Sequence, residues 1–465
     1  MKIKTLSRSD VYYERDRSTD LHKLQRNLNP ELHPFERARE YTRALNATKL
    51  ERLFAKPFIG ALSGHVDGVY CMAKHQLNLD VVVTGSADGE VRYWSLADQE
   101  ATWNVPTAHK GFVRGVCTHP NTPVFLSCGD DKAVKIWDVS STTPKNVFLS
   151  KFAFTGIDHS RNKNIFATSA AQVELWDIER SQPTYSFSWG AETVTSLKFN
   201  QTETNILASC GTDRTVALYD LRTTSPLNRI IMEMRTNAIA WNPMEAFHFT
   251  IANEDHKCYT FDMRRMDAAL IVHMDHVSAV MDLDYSPTGA EFVTGSYDRS
   301  VRIFNTRERN SREVYHTKRM QRVFCVRYSM DSKFVISGSD DGNVRIWKAQ
   351  SNDRLGVQAP RSQNSMHYQQ AVKNRYKNMP EIKRIDKHRH VPKPILSAQS
   401  KKKVMLDSRA RKEENERKHS QKKRRVVAED GDEAGAANSS NSPVMGKKTK
   451  KTDGERHKHI LAVEA

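Results

Sequence analysis

Long apolar runs are missing from this 465-residue chain. No stretch of about 18 uncharged apolar residues occurs, and residues 1–10 are polar with Lys2, Lys4 and Arg8, so neither a spanning helix nor a secretory leader is expected. Cysteine is sparse. The six cysteines (Cys71, Cys117, Cys128, Cys210, Cys258 and Cys325) form no Cys-x-x-Cys pair, which removes metal-site spacing and fits small buried residues in a reducing compartment. Also absent are a glycine-rich phosphate loop, a Gly-x-Ser-x-Gly elbow and a zinc-ligand set. No enzyme activity, cofactor or metal is expected, and the chain is read as soluble and intracellular. His388 and His390 have no third ligand at useful spacing.

Charge is unevenly distributed. The net charge is +17, yet residues 61–351 hold 31 Lys/Arg against 33 Asp/Glu. Residues 1–60 hold 13 against 8, and residues 352–465 hold 28 against 14. Basic extensions on a near-neutral centre are the footprint of a phosphate-rich partner, because Lys and Arg gain affinity by displacing condensed counterions. The plainer alternative is a solvated tail that carries import signals only.

What the centre does contain is a repeat. Trp94, Trp137, Trp176, Tyr219, Phe261, Phe304 and Trp347 end seven similar segments at intervals of 43, 39, 43, 42, 43 and 43 residues. Such a period predicts an all-β ring of small sheets, hence a binding platform. An aspartate stands six residues before six of the aromatics (Asp88, Asp131, Asp213, Asp255, Asp298 and Asp341), which fixes turn and aromatic on one hairpin. Ser86-Ala87-Asp88-Gly89 therefore reads as turn chemistry and not as a catalytic pair. Residues 54–62 are expected to supply the outer strand of the last sheet, because open terminal sheets would expose unpaired edges. Pro57 is compatible with that edge position.

These segments resemble the WD-repeat β-propellers, which carry Gly-His near the start of a unit and Trp-Asp at its end. Gly64-His65 opens the first unit, and Trp137-Asp138 and Trp176-Asp177 are literal endings. The resemblance implies seven blades over residues 54–351 and a buried polar chain within each blade, assigned in the first unit to His65, Ser86, Asp88 and Trp94. In the sixth unit His276, Ser296 and Asp298 correspond, with Phe304 in place of tryptophan. The third unit lacks the turn aspartate, and the fourth, fifth and seventh lack the entry histidine. Those blades are expected to rely on apolar packing and to be softer.

The extensions read as partly helical. Pro34 to Phe54 is expected to be a helix, with Thr48-Lys49-Leu50-Glu51 starting a short separate turn. Tyr368 to Met379 is expected to be a short helix stopped by Pro380. A basic stretch follows at Ile382 to Pro392, and residues 399–425 read as a strongly basic helix that orders on a partner. The cations proposed to meet RNA or another partner are Lys383, Arg384, Lys387, Arg389, Lys401, Lys402, Lys403, Arg409, Arg411, Lys412, Lys422, Lys423, Arg424 and Arg425. The organisation is thus an N-terminal extension over 1–53, a propeller over 54–351, a basic region over 352–425 and a disordered tail over 426–465.

Both extensions further resemble one WD-repeat family, the SOF-type proteins of the small-subunit processome. The matching residues are His33-Pro34-Phe35-Glu36, Arg43 to Arg52, Phe54-Ala55-Lys56-Pro57-Phe58, Asn242 to Phe247, His273 to Val280, His316 to Gln321, and Ile382-Lys383-Arg384-Ile385 with His388-Arg389-His390. This resemblance implies a nucleolar scaffold that assembles with processome proteins on precursor ribosomal RNA and a box C/D small nucleolar RNA. A second reading comes from the aromatic-Asp-x-Arg endings Tyr219-Asp220-Leu221-Arg222 and Phe261-Asp262-Met263-Arg264, which resemble those of cullin–RING ligase substrate receptors. Asp220, Arg222, Asp262 and Arg264 would meet the ligase adaptor. The two readings are compatible.

Overall fold

Short runs rich in Val, Ile, Thr and aromatic residues, each broken by an Asp- or Gly-bearing turn, are built to form antiparallel hairpins. In the computed structural model, which describes residues 30–188, 193–223, 226–429 and 460–464, they do so as seven sheets of at least four strands. The innermost strands are Val69–Lys74, Val113–Thr118, Gly156–His159, Val194–Phe199, Thr236–Trp241, Val280–Tyr285 and Val323–Tyr328. Each lies against the next, and the last returns to the first, so the ring is closed. Strand Phe58–Ser63 forms the outer edge of the seventh sheet, beside Asn343–Lys348. The expected closing strand is therefore present, beginning just after Pro57.

All seven terminal aromatics are buried, none more than 2% exposed. They sit in apolar clusters shared by neighbouring blades: Trp137 of blade 2 packs with Val83 and Trp103 of blade 1, and Phe304 of blade 6 with Ala252 and Cys258 of blade 5. Because each cluster needs two blades, no blade can be stable alone. Polar stitches reinforce the seams between inner strands. Thr195 Oγ1 donates to the carbonyl of Thr236 (3.2 Å), and Asn237 Nδ2 to that of Val280 (2.9 Å). Cys325 Sγ lies 3.6 Å from the carbonyl of Val69 across the closing seam. All six cysteines are buried and free, and burial pushes the Cys71 thiol up to about 12.

The turn aspartates act on the main chain. Each carboxylate of Asp88, Asp131, Asp213, Asp255 and Asp298 accepts the N–H two residues on, at 2.9–3.3 Å. The intervening residue has positive φ: Gly89, Lys132, Arg214, His256 and Arg299, at 91°, 62°, 68°, 68° and 63°. Left-handed backbone is disfavoured for residues with a Cβ, and the aspartate acceptor holds four non-glycine residues there.

The polar chain exists, but its members differ from the sequence assignment. His65 Nε2 pairs with Thr84 Oγ1 (2.7 Å), which also accepts from Trp94 Nε1 (2.8 Å), while His65 Nδ1 meets Glu90 (2.9 Å). Ser86 instead donates to the carbonyl of Asp67 (3.3 Å), and Asp88 serves only the turn. In blade 6 His276 bridges Asp298 (2.9 Å) and Thr294 (2.7 Å), so Thr294 replaces Ser296. Residues two apart on a strand share a face, and the hydroxyl one step further from the turn is the one level with the imidazole. Nor do the blades without histidine lack polar networks. Arg345 pairs with Asp341 and donates to Ser339 (2.7 Å) in blade 7, and Arg229 meets Asp213 (3.2 Å) in blade 4.

Among the described residues, 30–58 and 350–389 form a separate compact unit. It contains helices α1 (Glu36–Leu53), α2 (Pro360–Arg375) and α3 (Pro380–Lys387). Ala44, Val372 and Ile382, one from each helix, form its core. Thr48 lies inside α1 and donates to the carbonyl of Ala44 (2.8 Å), so no separate turn begins there. Pro360 and Pro380 each open a helix at its first turn, where a missing N–H costs nothing. Consequently α2 starts earlier than expected, and Pro380 starts α3 where it was expected only to stop a helix.

Helix α4 (Lys393–Glu429) belongs with the ring unit. The strand Ile460–Glu464 corrects the expectation of a tail disordered throughout 426–465. It pairs antiparallel with Pro226–Met232 at the outer edge of blade 4, where its β-prone residues satisfy exposed main-chain groups and Ile460 packs on the apolar cluster. A further basic cluster in the sequence, Lys447-Lys448-Thr449-Lys450-Lys451, lies outside the described residues.

Candidate functional site

Two faces of the ring are distinguished by strand polarity. At the C-terminal ends of the inner strands lies a cavity of about 740 Å³. Ion pairs cross it: Lys74 with Asp284 (2.6 Å), Lys198 with Asp158 (2.6 Å) and Arg327 with Asp282 (2.5 Å). The three carboxylates also accept main-chain N–H groups of Tyr328 (2.8 Å), Phe199 (2.8 Å) and Val326 (3.0 Å), so they serve the seams between blades.

The blade histidines are held for structure. Burial lowers the His65 pKa, outweighing the pull of Glu90, and does the same at His109 despite Asp131. Burial opposes ionisation of Asp298, but the imidazole of His276 outweighs it and the carboxyl is held far below its ordinary value. Each group is buried with its partners satisfied, an arrangement that rigidifies a blade. The hydroxyl that sequence reading missed does carry a signal. A Ser or Thr stands ten residues before the aromatic at Thr84, Ser127, Ser209, Thr294 and Ser337.

The two aromatic-Asp-x-Arg endings leave their strands toward the cavity side of the ring, because the third strand of a blade runs parallel to the first. Arg264 is clamped on Asp262 through Nε (3.1 Å) and Nη2 (2.9 Å), and its guanidinium lies 4.4 Å from the ring centre of Phe247. The hydrogen bonds it donates to Asp262 raise the Arg264 pKa. Arg222 is looser: its Nε stands 3.9 Å from Asp220, and its side chain is 68% exposed. Phe247 was not anticipated from the motif, since it comes from the turn before a different strand, His248–Asn253.

The basic tail divides into held and free cations. In the helical unit Ile382 points inward, which leaves Lys383, Arg384 and Lys387 exposed. Arg389 is partly engaged by the carbonyls of Asp386 and His388 (3.0 Å to the latter). Asp386 is ionised by Lys373 (3.0 Å) and Arg52 (3.3 Å), which overcome its burial and lower its pKa. On α4, Gln399 Nε2 donates to the carbonyl of Asp275 (3.0 Å) and Lys402 Nζ to that of His276 (3.1 Å). Desolvation brings the Lys402 pKa down to about 8. Lys402, one of the cations assigned to RNA or another partner, here fastens the helix to blade 6. Lys401, Lys403, Arg409, Arg411 and Lys412 stay exposed. Lys422 to Arg425 lie on the backbone of α4, and their side chains fall outside the described residues.

Comparison with known proteins adds to this geometry. A profile of the Sof1-like domain matches residues 349–432, spanning α2, α3 and α4. The WD domain, G-beta repeat, matches residues 56–95, 102–138, 181–220, 269–305 and 312–348. The chain is 51% identical over 419 residues to the DDB1- and CUL4-associated factor 13 of Xenopus tropicalis, covering 89% of this chain and 94% of that protein. It is 49% identical over 442 residues to Protein SOF1 of Saccharomyces cerevisiae, covering 89% and 90%. To the human DDB1- and CUL4-associated factor 13 it is 49% identical over 419 residues, covering 89% and 94%.

Proposed function

Because the chain belongs to the Sof1 family of WD-repeat proteins, we propose that it is a non-catalytic scaffold of the nucleolar small-subunit processome. In that reading the ring carries neighbouring proteins, and the basic extension runs along precursor ribosomal RNA and a box C/D small nucleolar RNA. The observation that carries it is α4: one lysine is used to fasten the helix to blade 6, and five of the other assigned cations, Lys401, Lys403, Arg409, Arg411 and Lys412, face solvent. A row of exposed cations on an anchored helix suits phosphate contact, which supplies affinity without sequence choice. Crosslinking RNA to the protein in cells tests this. Recovery of precursor ribosomal RNA on residues 382–425 is the expected result, and crosslinks confined to other segments would remove the tail from the reading.

A second reading is supported by Arg222 and Arg264. Relatives are named for association with DDB1 and CUL4. Two neighbouring blades here present an Asp-anchored arginine on the same side. We propose that these arginines form the contact to the adaptor of a cullin–RING ligase. Replacing both with alanine and measuring adaptor pull-down tests it: recovery should fall at least about tenfold, in line with the loss of anchoring arginines at an interface, and unchanged recovery would refute the assignment.

A further inference from the structure

Opposite the cavity, at the N-terminal ends of the inner strands, aromatic rings from four consecutive blades meet. Tyr70 and Phe324 occupy the second position of the inner strands of blades 1 and 7, and their rings stack at 4.3 Å and 11°. Phe112 of blade 2 meets Tyr70 edge-on at 5.5 Å, and Tyr297 of blade 6 meets Phe324 edge-on at 5.9 Å. The fold does not require this. In the other blades the equivalent position holds Arg114, Thr155, Thr195, Asn237 and Met281. Phe112 is 38% exposed, Tyr70 and Tyr297 are partly exposed, and neither phenol oxygen has a hydrogen-bond partner among the described residues.

The array is electrostatically biased. The guanidinium of Arg114 lies 4.8 Å from the Phe112 ring centre and that of Arg322 lies 5.1 Å from the Tyr297 ring centre, so the outer rings already hold cations on their faces. Arg114 is neutralised by Asp130 through two hydrogen bonds (2.8 and 3.0 Å). Beside Tyr70 stand the exposed carboxylates Asp67 and Asp340, neither in an ion pair among the described residues. Burial raises the Tyr70 pKa, with Tyr297 and Asp340 adding to it, which places those charges near the phenol. Partly exposed rings next to unpaired carboxylates attract cations and repel phosphate.

We infer that this face binds a protein segment presenting arginine or lysine side chains, which lie over the Tyr70 and Phe112 rings while Asp67 and Asp340 balance their charge. The inference rests on the scaffold reading only in treating the ring as a platform. Loss of tail crosslinks to RNA would leave it standing, and its own failure would leave RNA binding by the tail intact.

Selection of short random peptides on the full-length protein, followed by fluorescence anisotropy with individual selected peptides, tests it. Selected peptides should be rich in Arg or Lys and weaken as salt rises. They should lose roughly tenfold in affinity, the scale of a partly desolvated cation–π contact, with Phe112→Ala and separately with the isosteric Asp67→Asn/Asp340→Asn pair, both of which should melt like the parent protein. The inference is overturned if no peptide depends on these residues, if the selected peptides lack basic residues, or if a short oligouridylate binds in a Phe112-dependent manner.

Discussion

Lys402 Nζ donates to the main-chain oxygen of His276 at 3.1 Å, the same residue whose imidazole joins Asp298 to Thr294. A helix that carries mostly exposed cations is thereby tied to the most buried polar chain of blade 6. Asp275, beside it, has φ 146° and accepts from both Ser311 (2.7 Å) and, through its carbonyl, Gln399 (3.0 Å).

Replacing Lys402 by methionine keeps the apolar stem and removes the donor. The start of α4 should dock more weakly by about 1.5–3 kcal/mol, the range for a hydrogen bond involving a charged group. Faster amide hydrogen exchange over residues 393–412, with exchange in blade 6 unchanged, is the expected readout. Unaltered exchange in α4 would show that the bond is incidental.

Phosphate contact has a salt signature that Lys402 should not share. Changing Lys401, Lys403, Arg409, Arg411 and Lys412 together to alanine should lower the slope of log K against log salt for single-stranded RNA by about 3–4, at about 0.7 per phosphate neutralised. Lys402→Met should leave the slope nearly unchanged. Filter binding over a salt series measures both.

The two hydroxyls of the first blade separate cleanly. Thr84 Oγ1 joins His65 to Trp94, whereas Ser86 meets only a main-chain carbonyl at 3.3 Å. Thr84→Val strands two buried groups and should cost about 1–3 kcal/mol, while Ser86→Ala should cost about 1 kcal/mol or less. Denaturant unfolding of the two variants decides the order.

Acid should weaken the ring before its carboxylates titrate. Burial brings the pKa of His159 and of His273 down to about 4, whereas an unfolded histidine binds its proton near 6.5. Between these values the unfolded chain holds more protons than the folded one, so stability falls as pH falls from about 6.5 to about 4, by up to roughly 1.4 kcal/mol per pH unit for each histidine. His159→Gln with His273→Gln should flatten melting temperature against pH in that window. An equally steep profile would assign the effect to other groups.

The seven aromatics and the six turn aspartates were readable because a repeated fold forces the same chemistry at the same offset. The polar chain was readable as an idea but misassigned at Ser86 and Ser296, since a strand presents alternate residues to one face and only the cross-strand register selects between them. The clamp of Phe247 on Arg264 and the aromatic array of Tyr70, Phe112, Tyr297 and Phe324 join residues far apart in the chain, and no local pattern announces such meetings.

By itself, then, the sequence determined the periodic ring, the closing strand after Pro57 and the basic character of the extensions, all of which follow from local spacing and composition. Tertiary structure alone decided which cations are free, that Lys402 is not among them, and that residues 460–464 complete an edge of blade 4. The physical reason is that exposure and pairing depend on what a side chain meets across the fold, and burial changes the energy of a charge or hydroxyl far more than its neighbours in sequence do.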